Sequence, residues 1–192
     1  MKRIPNIPKF KEKLYIICEG IGDKIYLDRI FSLYSSKYDI KVIPSGGKNK
    51  IVDKLREVLI LHPHNECFVF VDVDTDGIKT LEHYKKQMKQ DEIPCSNNIY
   101  FVNPIIEYLY LITQVDKHPT NFYTKDKYRK LFEKYFGIIE YTGTQKQYEQ
   151  MTDKIDLEAF EKNMNKINKN INQTPSSTII DLVTRITKKT NW

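Results

Sequence analysis

Cys67–Gly77 reads CFVFVDVDTDG: an unbroken apolar run, then carboxylates at every second position, Asp72, Asp74 and Asp76, and a closing glycine. A run of Phe and Val with no polar interruption suits a strand buried on both faces, the condition found in parallel sheets. In an extended chain alternate side chains point the same way, so the spacing predicts that the three carboxylates converge at the strand's carboxyl end. Carboxylates a few ångströms apart repel one another, and a hard cation such as Mg²⁺ relieves that repulsion. A surface turn built from Asp and Gly is the alternative reading of an isolated DTDG.

A second apolar run, Leu14–Gly20 (LYIICEG), also stops at a carboxylate, Glu19, before a glycine and the helical pattern DKIYLDRIFSLY. In open parallel sheets, ligand chemistry gathers beyond the carboxyl ends of neighbouring strands. Glu19 and the Asp72 cluster are therefore candidates for one site, provided that their strands are adjacent. Asp23 falls in the first turn of the helix that follows, either as a dipole or capping carboxylate or as a neighbour of the metal.

Strand and helix patterns alternate through the first half of the chain. YDIKVIPSGG reads as a second strand. KNKIVDKLREVLIL places Ile51, Val52, Leu55, Val58 and Leu59 on one helical face. After the third strand come the polar helix IKTLEHYKKQMKQD and a fourth strand, NNIYFVN. This order predicts an α/β fold with an open four-stranded parallel sheet and helices on both faces. Beyond Asn103 the patterns are helical: PIIEYLYLITQ with Pro104 at its first position, YTKDKYRKLFEKYFG, LEAFEKNMNKINKNI, and a last helix opened by Pro175. QKQYEQMTDK, between the second and third of these, reads as a loop or a frayed helix. The division expected is a core over 1–112 and a helical cap over 113–192, packed together as one unit.

Glu107, one turn into the helix after Pro104, either complements the helix dipole or faces the carboxyl edge with Glu19 and Asp72. Asn103 is either a helix cap or a member of the same site. In SGGKNK (Ser45–Lys50), backbone amides and Lys48 and Lys50 are placed to approach a phosphate, although the spacing is not that of a P-loop. His62 and His64 precede the third strand, at the end opposite the proposed site. Tyr123, Tyr128, Tyr135, Tyr141 and Tyr148 alternate with lysines, a pattern that serves either base stacking or, for Tyr128 and Tyr135, core packing.

The glutamate-glycine turn followed some fifty residues later by Asp-x-Asp resembles the Toprim domain of topoisomerases, primases, the overcoming-lysogenization-defect (OLD) nucleases and a ribosomal-RNA maturase. More narrowly, CEG, DVDTD, SNNIYFVNPIIEYLYLI and TPSSTIIDLV, in that order, are similar to RloB-like proteins. The chain departs from that pattern in its EGIGD turn, where Asp23 stands near the place of a second acidic residue. Tyr108 or Leu109 occupies the place of a common tryptophan.

The resemblance implies a Toprim-like core and a nuclease dependent on Mg²⁺ or Mn²⁺. Glu19, Asp72 and Asp74 would be catalytic residues and metal ligands, with Asp76 a further ligand or an orienting neighbour. Asp23, Asn103 and Glu107 would be additional site residues. It also implies an RNA target, tRNA first, in antiphage abortive infection, and a separately encoded ATPase as a partner. DNA cleavage of the OLD type and a non-catalytic nucleic-acid-binding subunit are the alternatives.

The 192 residues carry 31 Lys and Arg against 25 Asp and Glu, a net charge of +6 that suits a polyanion. Cys18, Cys67 and Cys95 lie far apart with no C-x-x-C spacing, which argues against a disulfide framework and a zinc site. No 18 apolar residues run together and the start has no apolar leader segment, so a cytosolic protein is expected, with no membrane partner.

Overall fold

The computed structural model describes residues 11–94, 98–113 and 125–188. Cys95, His118, Tyr123 and the expected continuation of a helix through Gln114 lie outside them. Four parallel strands form the sheet: β1 (Glu12–Cys18), β2 (Tyr38–Pro44), β3 (Glu66–Asp72) and β4 (Ile99–Asn103). A fifth strand, β5, is only Ser176–Ser177 and pairs antiparallel with β4, so the order is β2-β1-β3-β4-β5. The sequence predicts four strands. The fifth escapes it because two small polar residues carry no strand pattern, and Ser176 and Ser177 are nonetheless fully buried.

Alternation along β1 and β3 divides the core into two layers. Leu14, Ile16 and Cys18 of β1, with Phe68 and Phe70 of β3, point to one face. There they meet α1 (Ile21–Ser32) and the helices of the second half. Tyr15, Ile17, Cys67, Val69 and Val71 point to the other face. They are covered by α2 (Ile51–Leu61) and α3 (Ile78–Gln90). Each fully buried Leu, Ile or Phe here stabilises the fold by about 1.5–3 kcal/mol. The face expected of α2 is the one that packs: Ile51, Val52, Leu55 and Val58 are buried, and Leu59 packs partly buried beside them.

From β1 the chain passes through α1 on one face to β2 at the edge, then returns through α2 on the opposite face to β3 on the other side of β1. The point between β1 and β3 where this order reverses opens a crevice at the carboxyl ends of those strands.

The second half adds α4 (Glu107–Ile112), α5 (Lys125–Phe136), α6 (Gln145–Thr152), α7 (Leu157–Met164) and α8 (Ile179–Thr187). Four boundaries differ from expectation. The helix expected over LEAFEKNMNKINKNI stops at Met164, and the chain beyond it turns toward β5. The helix expected from Pro104 starts at Glu107, because Pro104–Ile106 form a turn. In it the Pro104 carbonyl accepts from Asp74 N–H and the Ile106 N–H donates to Asp72. The stretch read as a loop or frayed helix forms α6, closed at its start by a Thr144–Gln147 capping box. The last helix begins at Ile179 and not at Pro175, since Ser176 and Ser177 are taken up by β5. Helices of both halves share one apolar cluster, in which Tyr26 and Leu27 of α1 pack with Phe132, Phe160 and Leu182. No described helix is long and apolar enough to cross a membrane.

Candidate functional site

β1 and β3 are direct neighbours, with Cys18 level with Phe70. Glu19 and Asp72 therefore leave the sheet side by side, and both line one cleft of about 550 Å³ with Asp23, Asp74 and Glu107. Five carboxylates from three separate stretches of sequence meet at the crevice the topology creates.

Each is held differently. The Glu19 carbonyl accepts the N–H groups of Gly46 and Gly47, both at 3.1 Å, and the Ser45 hydroxyl at 3.3 Å. This pins the following loop to the end of β1 and leaves the side chain to the cleft. Gly46 and Gly47 have φ of +80° and +135°, which a side chain would strain. Their amides, which the sequence offers to a phosphate, are thus committed to Glu19. Lys48 of the same loop reaches across to form an ion pair with Asp74, whereas Lys50 is exposed and does not line the cleft.

Asp23 is 3% exposed and accepts the Gly20 N–H at 2.8 Å through Oδ2. Asp72 is half-buried, and its Oδ2 accepts the Ile106 N–H at 3.1 Å.

The extended geometry predicted through Asp76 ends at Asp72. Val73 takes a helical conformation with its side chain buried, and Asp74–Asp76 form a 3-10 turn leading into α3. That turn keeps Asp74 in the cleft with φ of +46° and sends Asp76 out to an adjoining depression, where it is exposed. Asn103 is also outside the cleft. Its Nδ2 donates to the carbonyls of Ile171 and Gln173, and its Oδ1 accepts from the Thr174 hydroxyl, which ties the end of β4 to the segment before β5.

Tyr128, Tyr141 and Tyr148 line the same cleft. The hydroxyls of Tyr141 and Tyr148 both donate to Oε1 of Glu107, the latter at 3.0 Å. Their partnership with Glu107 is not apparent in the sequence. One signal pointed toward it: the T-x-x-Q at Thr144–Gln147 marks a helix start and places Tyr148 in its first turn. His62, at the far end of the sheet, stacks on Tyr15 with ring centroids 4.7 Å apart.

Burial dominates the electrostatics. It pushes Asp23 up to about 7, assisted by the charges of Glu19 and Glu107 and opposed by the Gly20 N–H. Burial, then the charges of Asp23 and Glu107, hold Asp72 well above the ordinary carboxylate range. Glu19 is raised by burial and partly relieved by Lys48.

Three carboxylate oxygens, Glu19 Oε2, Asp23 Oδ1 and Asp72 Oδ1, are shut off from solvent with no donor group beside them, and the Asp23 and Asp72 carboxyls are neighbours able to share one retained proton. Leaving a buried polar atom unpartnered costs about 1–3 kcal/mol, more for a charge. Three in one cleft call for a cation or a retained proton. Hard oxygen donors fit Mg²⁺ or Mn²⁺ by their chemistry. Among the described residues, no three His, Cys, Asp or Glu side chains are already gathered as a metal site. Cys18 and Cys67 are buried.

No family model matches the chain, and no curated protein or solved structure matches it either.

Proposed function

We propose that the protein is a metal-dependent phosphodiesterase, a nuclease of Toprim type. The observation that carries this reading is the trio of buried, unpartnered carboxylate oxygens on Glu19, Asp23 and Asp72, brought to one cleft from the ends of two adjacent parallel strands and the helix that follows the first of them.

The ligands of the cation would come from Glu19, Asp23, Asp72, Asp74 and Glu107, which line the cleft together; Asp76 is left out because its side chain is exposed outside it. Bound there, Mg²⁺ or Mn²⁺ supplies charge for the scissile phosphate and acidifies an attacking water. Glu19 or Glu107, whichever is left unligated, accepts the proton of that water. Lys48, once freed from Asp74, has the reach and charge to meet a non-bridging phosphate oxygen.

A cleft of about 550 Å³ is of small-ligand size and suits an unpaired segment of a strand better than a duplex. With the +6 charge and the resemblance to RloB-like proteins, this supports RNA as the target. tRNA comes first, in antiphage defence beside a separately encoded ATPase; DNA comes second. One observation favours a different reading, a non-catalytic nucleic-acid-binding subunit: Lys48 pairs with Asp74 and so neutralises one of the cleft's carboxylates.

Cleavage of total tRNA, single-stranded RNA and plasmid DNA with Mg²⁺, Mn²⁺ or EDTA, for the parent and for Glu19→Gln and Asp72→Asn, separates the two. Metal-dependent cutting that falls by roughly a thousandfold in either variant is expected. Equal cutting by parent and variants overturns the site.

A further inference from the structure

Among the described residues, the chain beyond α4 supplies no carboxylate to the cleft, yet two of its side chains touch one. Tyr141, in the connection after α5, and Tyr148, in the first turn of α6, both donate their hydroxyls to the same oxygen of Glu107. The rings are themselves fixed. Tyr141 meets Phe132 edge-on with centroids 4.6 Å apart, and Tyr148 edge-on at 6.1 Å.

Tyr148 also lies flat against the backbone of Gly22. A Cβ at that position would sit 2.5–2.8 Å from three of its ring carbons. Gly22 in turn immediately precedes Asp23, and its carbonyl accepts the Tyr110 hydroxyl at 3.0 Å. One tyrosine thus touches both the carboxylate of Glu107 and the turn that carries Asp23. Burial, and next the negative charge of Glu107, push both phenols far above their ordinary range, so they remain protonated donors.

We propose that Tyr141 and Tyr148 are positioning residues that orient the Glu107 carboxylate toward the metal-binding carboxylates, so that the helical half of the chain completes the centre built by the sheet. This rests on the phosphodiesterase reading. Two donors on Oε1 fix the rotation of the carboxylate and leave Oε2 as the oxygen available to the cleft, the arrangement by which outer hydrogen bonds orient ligands at metal centres. Glu107 has no such support from its own helix, since α4 is only Glu107–Ile112 and the carboxylate stands at its first residue.

The test uses the full chain and two probes, Mn²⁺ alone, followed by its electron paramagnetic resonance, and bis(p-nitrophenyl) phosphate turnover. Tyr141→Phe and Tyr148→Phe keep the rings and remove only the hydroxyls, so thermal unfolding checks that the packing over Gly22 survives. The double Phe variant is expected to bind Mn²⁺ about tenfold more weakly and to lose at least as much turnover. In a Glu107→Gln background the same two changes are expected to have no further effect, because the hydroxyls act through that carboxylate.

A double Phe variant with the parent's Mn²⁺ affinity and turnover overturns the positioning role. So does an equal loss with and without the Glu107 carboxylate, which would make the tyrosines packing residues alone. A parent protein that neither binds Mn²⁺ nor turns over the diester is a different pattern, and it removes the phosphodiesterase reading together with the inference built on it.

Discussion

The two walls of the cleft have opposite energetics. The wall built by β1, β3 and the first turn of α1 gathers carboxylates that burial and mutual repulsion disfavour, and three of their oxygens have no donor. The other wall, built by α5, α6 and the connection between them, is made of tyrosines, and Tyr141 and Tyr148 pack edge-on and donate their hydroxyls to Glu107. Stability is given up on the acidic side and recovered on the aromatic one. Such a division is expected where a site is arranged for a ligand and not for the fold.

The acidic wall can be relieved directly. A carboxyl whose folded value lies above its unfolded one keeps its proton in the native state while the unfolded chain has already lost it. Stability therefore falls as pH rises from the unfolded value toward the folded one. For Asp23 that window runs from 3.8 to about 7. Within it each pH unit costs at most about 1.4 kcal/mol. The metal-free protein is expected to lose thermal stability between about pH 4 and 7, and to regain it when Mg²⁺ or Mn²⁺ is added. Asp72→Asn should raise the unfolding temperature at pH 8 by roughly 5 °C while removing activity. Scanning calorimetry across that range decides the matter, and a stability that rises with pH would contradict the stated cause.

The seam between the walls is next in size. Gly22→Ala drives a methyl group into the Tyr148 ring, and the expected cost is about 1–3 kcal/mol. If the walls are coupled through this contact, the variant also weakens Mn²⁺ binding. A stable variant with unchanged Mn²⁺ affinity would show that Tyr148 can shift without consequence for the site.

The smallest effect marks the boundary of the acidic wall. Asp76→Asn should change turnover by no more than about twofold, since the side chain is exposed outside the cleft and surface substitutions away from such features have small effects. A large loss would mean that the 3-10 turn rearranges to bring Asp76 inward.

Much of the acidic wall was legible in the sequence, because it depends on features local to the chain. The runs IIC and FVFV are apolar on both faces and so read as central strands, and the carboxylate after each is fixed by its position at the strand's end. Asp76 went astray because alternation holds only while the chain stays extended, and entry into α3 bends it at Val73.

The aromatic wall was far less legible. Tyr141 and Tyr148 meet Glu107 across 34 and 41 residues, and no periodicity encodes such a contact. Their alternation with lysines suggested exposed stacking platforms, yet Tyr141 and Tyr148 are 6% and 8% exposed. α6 was hidden by a composition of Gln, Lys, Glu and Thr that resembles a loop unless its capping box is recognised. β5 has too few residues to show any pattern.

That short strand has an effect out of proportion to its length. Ser177 and Thr178 satisfy the outward backbone groups of β4: the Ser177 hydroxyl donates to the Phe101 carbonyl at 2.7 Å, and the Phe101 N–H donates to Thr178 Oγ1 at 2.9 Å. Among the described residues, β2 is then the one long strand at an edge of the sheet, and it carries the Asp39–Lys41 ion pair and ends at Pro44. A seven-residue edge bearing charge and stopped by proline is a poor template for another chain. The sheet is thereby guarded at both margins against the edge-to-edge self-association to which open sheets are prone.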